Sequence, residues 1–285
     1  MAIFTNNLIG GIQYRIKRMF NRRYRVFDIG WLEEKKLKHE RDLGVKTHLY
    51  KGKYSVHFRD APEFLVSIDE LFVNEFYKFR PAGGRPRIID CGSYIGTSVL
   101  YFKVNYPEAV VTGFEPDPSN FGLLQRNLEN WGFADAQVEN AAIWVNNDGI
   151  TFHSAGNMSS GIVQGGGAAQ GSAGGGGGTD LRVRTVRLRD LLEEDVDFLK
   201  IDIEGAELPV LRDCSDRLKN VKNLFVEYHG TYDKPAELNE ILDILLRQGF
   251  TYCVREGAII HSKPFWDMDV KYEWDMLLNI FAFRR

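Results

Sequence analysis

The chain has 285 residues, 44% hydrophobic and 13% aromatic, enough to bury one large core within one big domain or two modest ones. A formal net charge of -3 and a pI near 6.1 give no global basic field, so nucleic acid is not the expected partner. Cys91, Cys214 and Cys253 have neither disulfide-framework nor zinc spacing, and there is no apolar run of about 18 residues and no secretory leader, so the expected location is a reducing cytoplasm.

Residues 8–25 space Leu8, Ile9, Ile12, Ile16, Met19 and Phe20 at near-helical intervals among arginines and lysines. This predicts a basic amphipathic helix, either packed on the main domain with its arginines solvated or attached peripherally to an anionic membrane face. Short alternating segments follow at His48–Tyr50 and Tyr54–Phe58, then a predicted helix over Ser67–Phe79 stopped by Pro81, Gly83 and Gly84. Residues 1–80 therefore read as an N-terminal cap of helix and β-strand, ahead of a main domain over 81–285.

Beyond the cap, strand and helix patterns alternate. Strands are expected at Arg87–Asp90, Val110–Phe114, Gln137–Ile143, Phe198–Ile203, Asn223–Glu227 and Thr251–Arg255, with helices opening at Gly96, Pro118 and Ala206 and spanning Ala236–Arg247. Such alternation predicts an α/β fold with a parallel sheet covered on both faces. No helix-length pattern separates Thr251–Arg255 from the apolar Met276–Phe283, so the chain is expected to end in an antiparallel hairpin. The glycine-rich stretch 161–178 has too few apolar side chains to offset its ordering entropy and is expected to be a flexible loop.

The first strand runs into Asp90-Cys91-Gly92-Ser93-Tyr94-Ile95-Gly96, a turn whose glycines let backbone approach a ligand. About 20 residues on, Glu115-Pro116 ends the next strand, where doubly wound folds bind ribose hydroxyls. An acid at position 90 would repel the pyrophosphate of NAD but could attract, directly or through water, the ammonium of a methionine moiety, which favours S-adenosylmethionine. Asn140 and Ala141, closing the third strand, are the candidate adenine edge. The cofactor set is therefore Asp90, Gly92, Ser93, Tyr94, Gly96, Glu115, Pro116, Asn140 and Ala141.

These residues resemble the FkbM family of S-adenosylmethionine-dependent methyltransferases, above all in Lys200-Ile201-Asp202-Ile203-Glu204-Gly205-Ala206-Glu207. Supporting matches are Glu115-Pro116, Leu188 to Leu192, Val210-Leu211, and Val226-Glu227 with His229; the likeness spans roughly residues 75–255. Where the family commonly has Gly-Ala-Asn-x-Gly, this chain has Ser93 and Tyr94 after Gly92. The resemblance implies a class I, Rossmann-like methyltransferase fold, with a mostly parallel seven-stranded sheet whose last strand is antiparallel, and O-methylation in polysaccharide or natural-product pathways.

Methyl transfer to a hydroxyl needs alignment and removal of a proton. Asp202 and Glu204, beyond the fourth strand, and His229, beyond the fifth, are the catalytic candidates. Asp202 and Glu204, joined by Glu227 or His229, also have the donors for a divalent cation, although the sequence does not require one. The expected partner is a small-molecule or glycan acceptor, and the sequence carries no signal for oligomeric state. Two other functions fit less of the pattern: a non-catalytic binding protein on a methyltransferase fold, and an NAD-dependent sugar dehydrogenase.

Overall fold

The computed structural model describes residues 27, 29–133, 135–154, 161–162, 179–266 and 273–284. The expected helix at 8–25 and nearly all of the glycine-rich stretch lie outside them. The chain divides into one unit of residues 1–78 with 126–132, and a second of 79–125 with 133–285.

In the first unit, helix α1 (Trp31–Lys38) precedes an antiparallel hairpin of β1 (Lys46–Tyr50) and β2 (Tyr54–Phe58). Lys51 and Gly52, at φ 53° and 62°, make the tight turn between them. Phe58 stacks on Phe64 at 3.8 Å between ring centroids, and Phe27 packs against Tyr50, Phe64 and Phe72. The helix expected at Ser67–Phe79 instead starts six residues earlier, as α2 (Ala61–Ile68), and continues as a π-helical turn over Asp69–Val73. The start is set by Asp60, whose side chain accepts from the Glu63 amide at 3.0 Å, with proline in the first turn.

The second unit is built on a seven-stranded sheet. Its strands are β3 (Arg87–Cys91), β4 (Val110–Phe114), β5 (Gln137–Glu139), β11 (Val196–Ile201), β12 (Val221–Gly230), β13 (Thr251–Ala258) and β14 (Met276–Phe283), in the order β13-β14-β12-β11-β3-β4-β5. All neighbours are parallel except those of β14, which pairs antiparallel with both β12 and β13. This is the α/β sheet expected from the strand and helix alternation, including the antiparallel last strand. Every residue of β11 is buried, the charged Asp197 and Lys200 along with its four apolar residues, as befits a central strand.

The helices of this unit are α3 (Thr97–Asn105), α4 (Pro118–Trp131), a short α5 (Leu188–Leu191), α6 (Glu207–Asp213) and α7 (Ala236–Arg247). The last residues of α4 group with the first unit. The predicted strand Gln137–Ile143 is in fact two: β5 ends at Glu139, and β6 (Ala142–Trp144) pairs with β10 (Thr185–Arg187) outside the main sheet. Asn140 causes the break. Its side-chain amide donates to the carbonyls of Glu115 and Pro116 at 2.8 and 3.0 Å, which turns the chain away from β4. A small sheet of β7 (Ile150–Ser154), β8 (Gly161–Ile162) and β9 (Thr179–Val183) accompanies that pair and had no counterpart among the expected strands.

From β3 the chain steps outward through β4 and β5, then returns to the other side of β3 for β11 and β12. The strand order thus reverses between β3 and β11. In open α/β sheets this is where the carboxyl ends of the strands leave a crevice for ligands.

Candidate functional site

Asp90, next to last in β3 at the switch point, is fully buried. Its Oδ2 accepts from the hydroxyls of Ser93 at 2.9 Å and Ser98 at 2.5 Å, while Oδ1 accepts no hydrogen bond and has the Lys200 ammonium 3.4 Å away. The proposed direct attraction of a ligand ammonium to Asp90 is therefore corrected. The carboxylate lies beneath the turn with no accessible surface, and it locks the turn rather than lining the crevice.

Gly92 and Gly96 both take positive φ, 93° and 88°, and Gly96 precedes α3. A Cβ on Gly92 would come within 1.9 Å of the Asp202 carbonyl oxygen, so only glycine fits where the loops after β3 and β11 meet. The amides of Gly92 and Ser93 donate to the Phe114 carbonyl at 3.0 and 2.8 Å, which ties the turn to the end of β4. Tyr94, at φ 48°, donates its amide to Glu115 Oε2 at 2.8 Å, and Glu115 Oε1 accepts from the Asp117 amide at 2.9 Å. Burial, only partly offset by those two amides, pushes the Glu115 carboxyl up to about 8.

Among the proposed adenine-edge residues, Asn140 is exposed beside Pro116. Ala141 is fully buried and its amide already donates to the Glu139 carbonyl at 3.0 Å. Neither the side chain nor the N–H of Ala141 is thus presented to a base.

Lys200, which the sequence shows only as the first residue of the segment 200–207, connects the two halves of the site. Its ammonium is buried, donates to the Gly92 carbonyl at 2.6 Å and pairs with Asp202 Oδ2 at 3.0 Å as well as with Asp90. Burial alone would favour the neutral amine, but Asp202 and Asp90 outweigh it and hold the ammonium well above its ordinary pKa. One cation thereby fixes the glycine turn and orients Asp202.

Past β11 the chain turns through Glu204 and Gly205, at φ 53° and 86°, into α6. A left-handed glutamate costs on the order of 1 kcal/mol and persists because its surroundings hold it. Glu207, almost fully buried, accepts from the Gly205 and Ile203 amides at 3.0 and 3.3 Å with the same oxygen that meets His229 Nδ1 at 3.0 Å. On the other side of the ring, Nε2 lies 3.3 Å from Glu204 and 3.9 Å from Glu227. Burial opposes charge on His229, yet Glu204 and Glu207 prevail and raise its pKa well above the usual value. Burial likewise raises Glu204, against the pull of His229. Trp274 packs on the same imidazole, 5.4 Å between centroids, with its indole against Gly205.

The catalytic candidates Asp202, Glu204 and His229 are thus brought together, joined by Glu207 and Glu227. Asp202, Glu227 and His229 each offer a ligand atom within 4.8 Å of the other two. Glu207 carried a signal in sequence, as the last acid of the segment 200–207. Ser98 and Trp274 carried none, because their roles depend on which strands adjoin. Among the described residues, no helix is long and apolar enough to cross a membrane.

A family model described as the Methyltransferase FkbM domain matches residues 90–252, from the buried aspartate of β3 into β13. Methyltransferase 1 of Beauveria bassiana is 27% identical over 232 residues, covering 75% of this chain and 89% of its own length. The 2-O-methyltransferase NoeI of Sinorhizobium fredii is 27% identical over 175 residues, 56% of this chain and 71% of that protein. A solved structure of Methyltransferase FkbM from Methylobacillus flagellatus KT gives a TM-score of 0.43 at 18% identity, over 77% of this chain and 54% of that one.

Proposed function

Because this chain belongs to the FkbM methyltransferase family, we propose that it carries the methyl group of S-adenosylmethionine to a hydroxyl of a sugar, glycan or natural-product acceptor. The observation that carries the reading is Lys200, which bonds at once to the glycine turn after β3 and to Asp202 after β11. A cofactor crevice and an acceptor cluster are thereby held in one fixed relation at the switch point of the sheet. NoeI, a 2-O-methyltransferase by name, supports a hydroxyl as the target.

The residues suit this cofactor. Glu115, at the tip of β4, is a carboxylate acceptor of the kind that ribose hydroxyls need, and the Gly92–Gly96 turn beside it brings backbone close to a ligand with no Cβ in the way. Ser93, Tyr94 and Gly96 belong to that turn, and Pro116 with Asn140 forms its outer rim. When bound, S-adenosylmethionine supplies an electrophilic methyl group on a sulfonium. Asp202 and His229 would hold the acceptor hydroxyl, and its proton would pass to Glu204, which the strained turn directs at His229.

The test is calorimetric titration of the full chain with S-adenosylmethionine, S-adenosylhomocysteine and NAD, repeated with Glu115→Ala. Adenosyl binding that weakens at least tenfold in the variant is the expected result. Absence of adenosyl binding would overturn the reading, and NAD binding in its place would turn it toward hydride transfer. Asp202→Ala is expected to keep cofactor affinity within a few-fold while turnover collapses.

A further inference from the structure

Three side chains at the carboxyl ends of β11 and β12 converge with the chemistry of a metal centre. Asp202, Glu227 and His229 offer two carboxylate oxygens and one imidazole nitrogen mutually within 4.8 Å, and Glu227 and His229 are buried. Acidic side chains gather on many surfaces without binding anything, so convergence alone decides little. What sets this group apart is how Asp202 and His229 are held.

Asp202 has Oδ2 fixed by the Lys200 ammonium at 3.0 Å. His229 has Nδ1 fixed by the buried Glu207 at 3.0 Å, which turns Nε2 toward Glu204 and Glu227. A carboxylate on the far nitrogen of an imidazole is the usual outer support of a histidine metal ligand, because it sets the tautomer and strengthens the donor.

A second observation comes from β14. Asn279 lies directly across from Glu227 in the antiparallel register, so the two side chains leave the same face of the sheet about 5 Å apart at their Cβ atoms. It is 1% exposed, yet neither its amide oxygen nor its amide nitrogen has a hydrogen-bond partner. A buried amide left without partners costs about 1–3 kcal/mol. The Asn279 Nδ2 lies beside Gly257 of β13, and a hydrated ion next to Glu227 would bring water that could give the amide a partner, whereas an apolar occupant would not.

We propose that Asp202, Glu227 and His229 bind one divalent cation of the manganese or zinc class, with Glu207 and Asn279 as its outer support. One imidazole with two carboxylates favours a transition ion over magnesium or calcium, which prefer oxygen alone. The catalytic use of the ion rests on the methyltransferase reading, while its binding does not. In that use it lowers the pKa of the acceptor hydroxyl held beside Glu204, a Lewis-acid role that leaves methyl transfer to the sulfonium.

The test is titration of chelator-treated full-length protein with manganese(II), read by the loss of the free-ion electron paramagnetic resonance signal, with zinc(II) and magnesium(II) as competitors. One saturable site is expected, displaced by zinc and poorly by magnesium. Glu227→Gln and His229→Gln are each expected to weaken it at least tenfold, and Glu207→Gln by about 10–100-fold. Glu240→Gln, on the exposed ion pair with Arg212, should leave it unchanged. Thermal melts confirm that each variant is folded, and the milder Asn279→Ala stands in for any that is not, with an expected loss of at least threefold. Failure to saturate by millimolar manganese, or equal affinity in the ligand variants and the wild type, overturns the proposal. Adenosyl binding measured on the same metal-free protein reports separately on the methyltransferase reading, so either can fail alone.

Discussion

Replacing Lys200 by methionine keeps the length of the side chain and removes the charge that joins the two halves of the site. The ammonium lies 3.0 Å from Asp202 and 3.4 Å from Asp90, and each attraction is worth about 5 kcal/mol at an effective dielectric near 20 before desolvation is counted. Desolvating the ammonium offsets much of this, but Lys200→Met leaves a wholly buried Asp90 with no counter-charge, a situation that costs about 3–5 kcal/mol. The Gly92 carbonyl also loses its 2.6 Å donor. Urea unfolding followed by tryptophan fluorescence should show a loss in that range, with adenosyl affinity falling in parallel. Asp90→Asn in the Lys200→Met background should recover at least 1 kcal/mol, because the stranded charge is what destabilises the single variant. A Lys200→Met protein within 0.5 kcal/mol of the wild type, or strictly additive effects in the cycle, would refute the account of a buried ionic bridge.

Gly92→Ala forces a Cβ to 1.9 Å from the Asp202 carbonyl and an L-residue to φ 93°, so a loss of about 3 kcal/mol or more is expected; a melt unchanged from wild type would show that the two loops can part freely. Glu115 gives a pH signature. Burial holds its folded pKa at about 8, above the ordinary 4.5, so folding loses stability progressively as pH rises from 4.5 through 8. Under the proposed ribose contact, in which hydroxyls donate to the ionised carboxylate, adenosyl affinity should rise over the same window with a proton released on binding. Calorimetry in buffers of different ionisation enthalpy measures that proton, and it should vanish in Glu115→Gln; its persistence there would assign the linkage to another group.

Much of the fold was legible because its signals are local. The buried-type run at Arg87–Cys91, the glycines that follow it, and the amphipathic repeat of Ala236–Arg247 each encode their element over a handful of residues. Misreadings came where a local signal was overlooked or overridden from a distance. The Asp60 cap moved a helix start to Ala61, and the Asn140 side chain, by bonding to the carbonyls after β4, cut one expected strand into β5 and β6.

The sequence by itself determined which residue types stand at the strand ends: Asp90, Glu115, Asp202 and His229 each stand at the end of a largely apolar segment that must be buried, so each is delivered to the carboxyl edge of the sheet. Which of them meet was decided only in three dimensions. Lys200 reaches Asp90 because β11 pairs with β3, and Asn279 stands beside Glu227 because β14 inserts antiparallel against β12. Strand pairing is a long-range choice governed by the burial of whole faces, and the spacing of residues along the chain carries no record of it. The same pairing placed Asp90 beneath the turn rather than in the crevice, where a carboxylate with no access to water serves as an anchor.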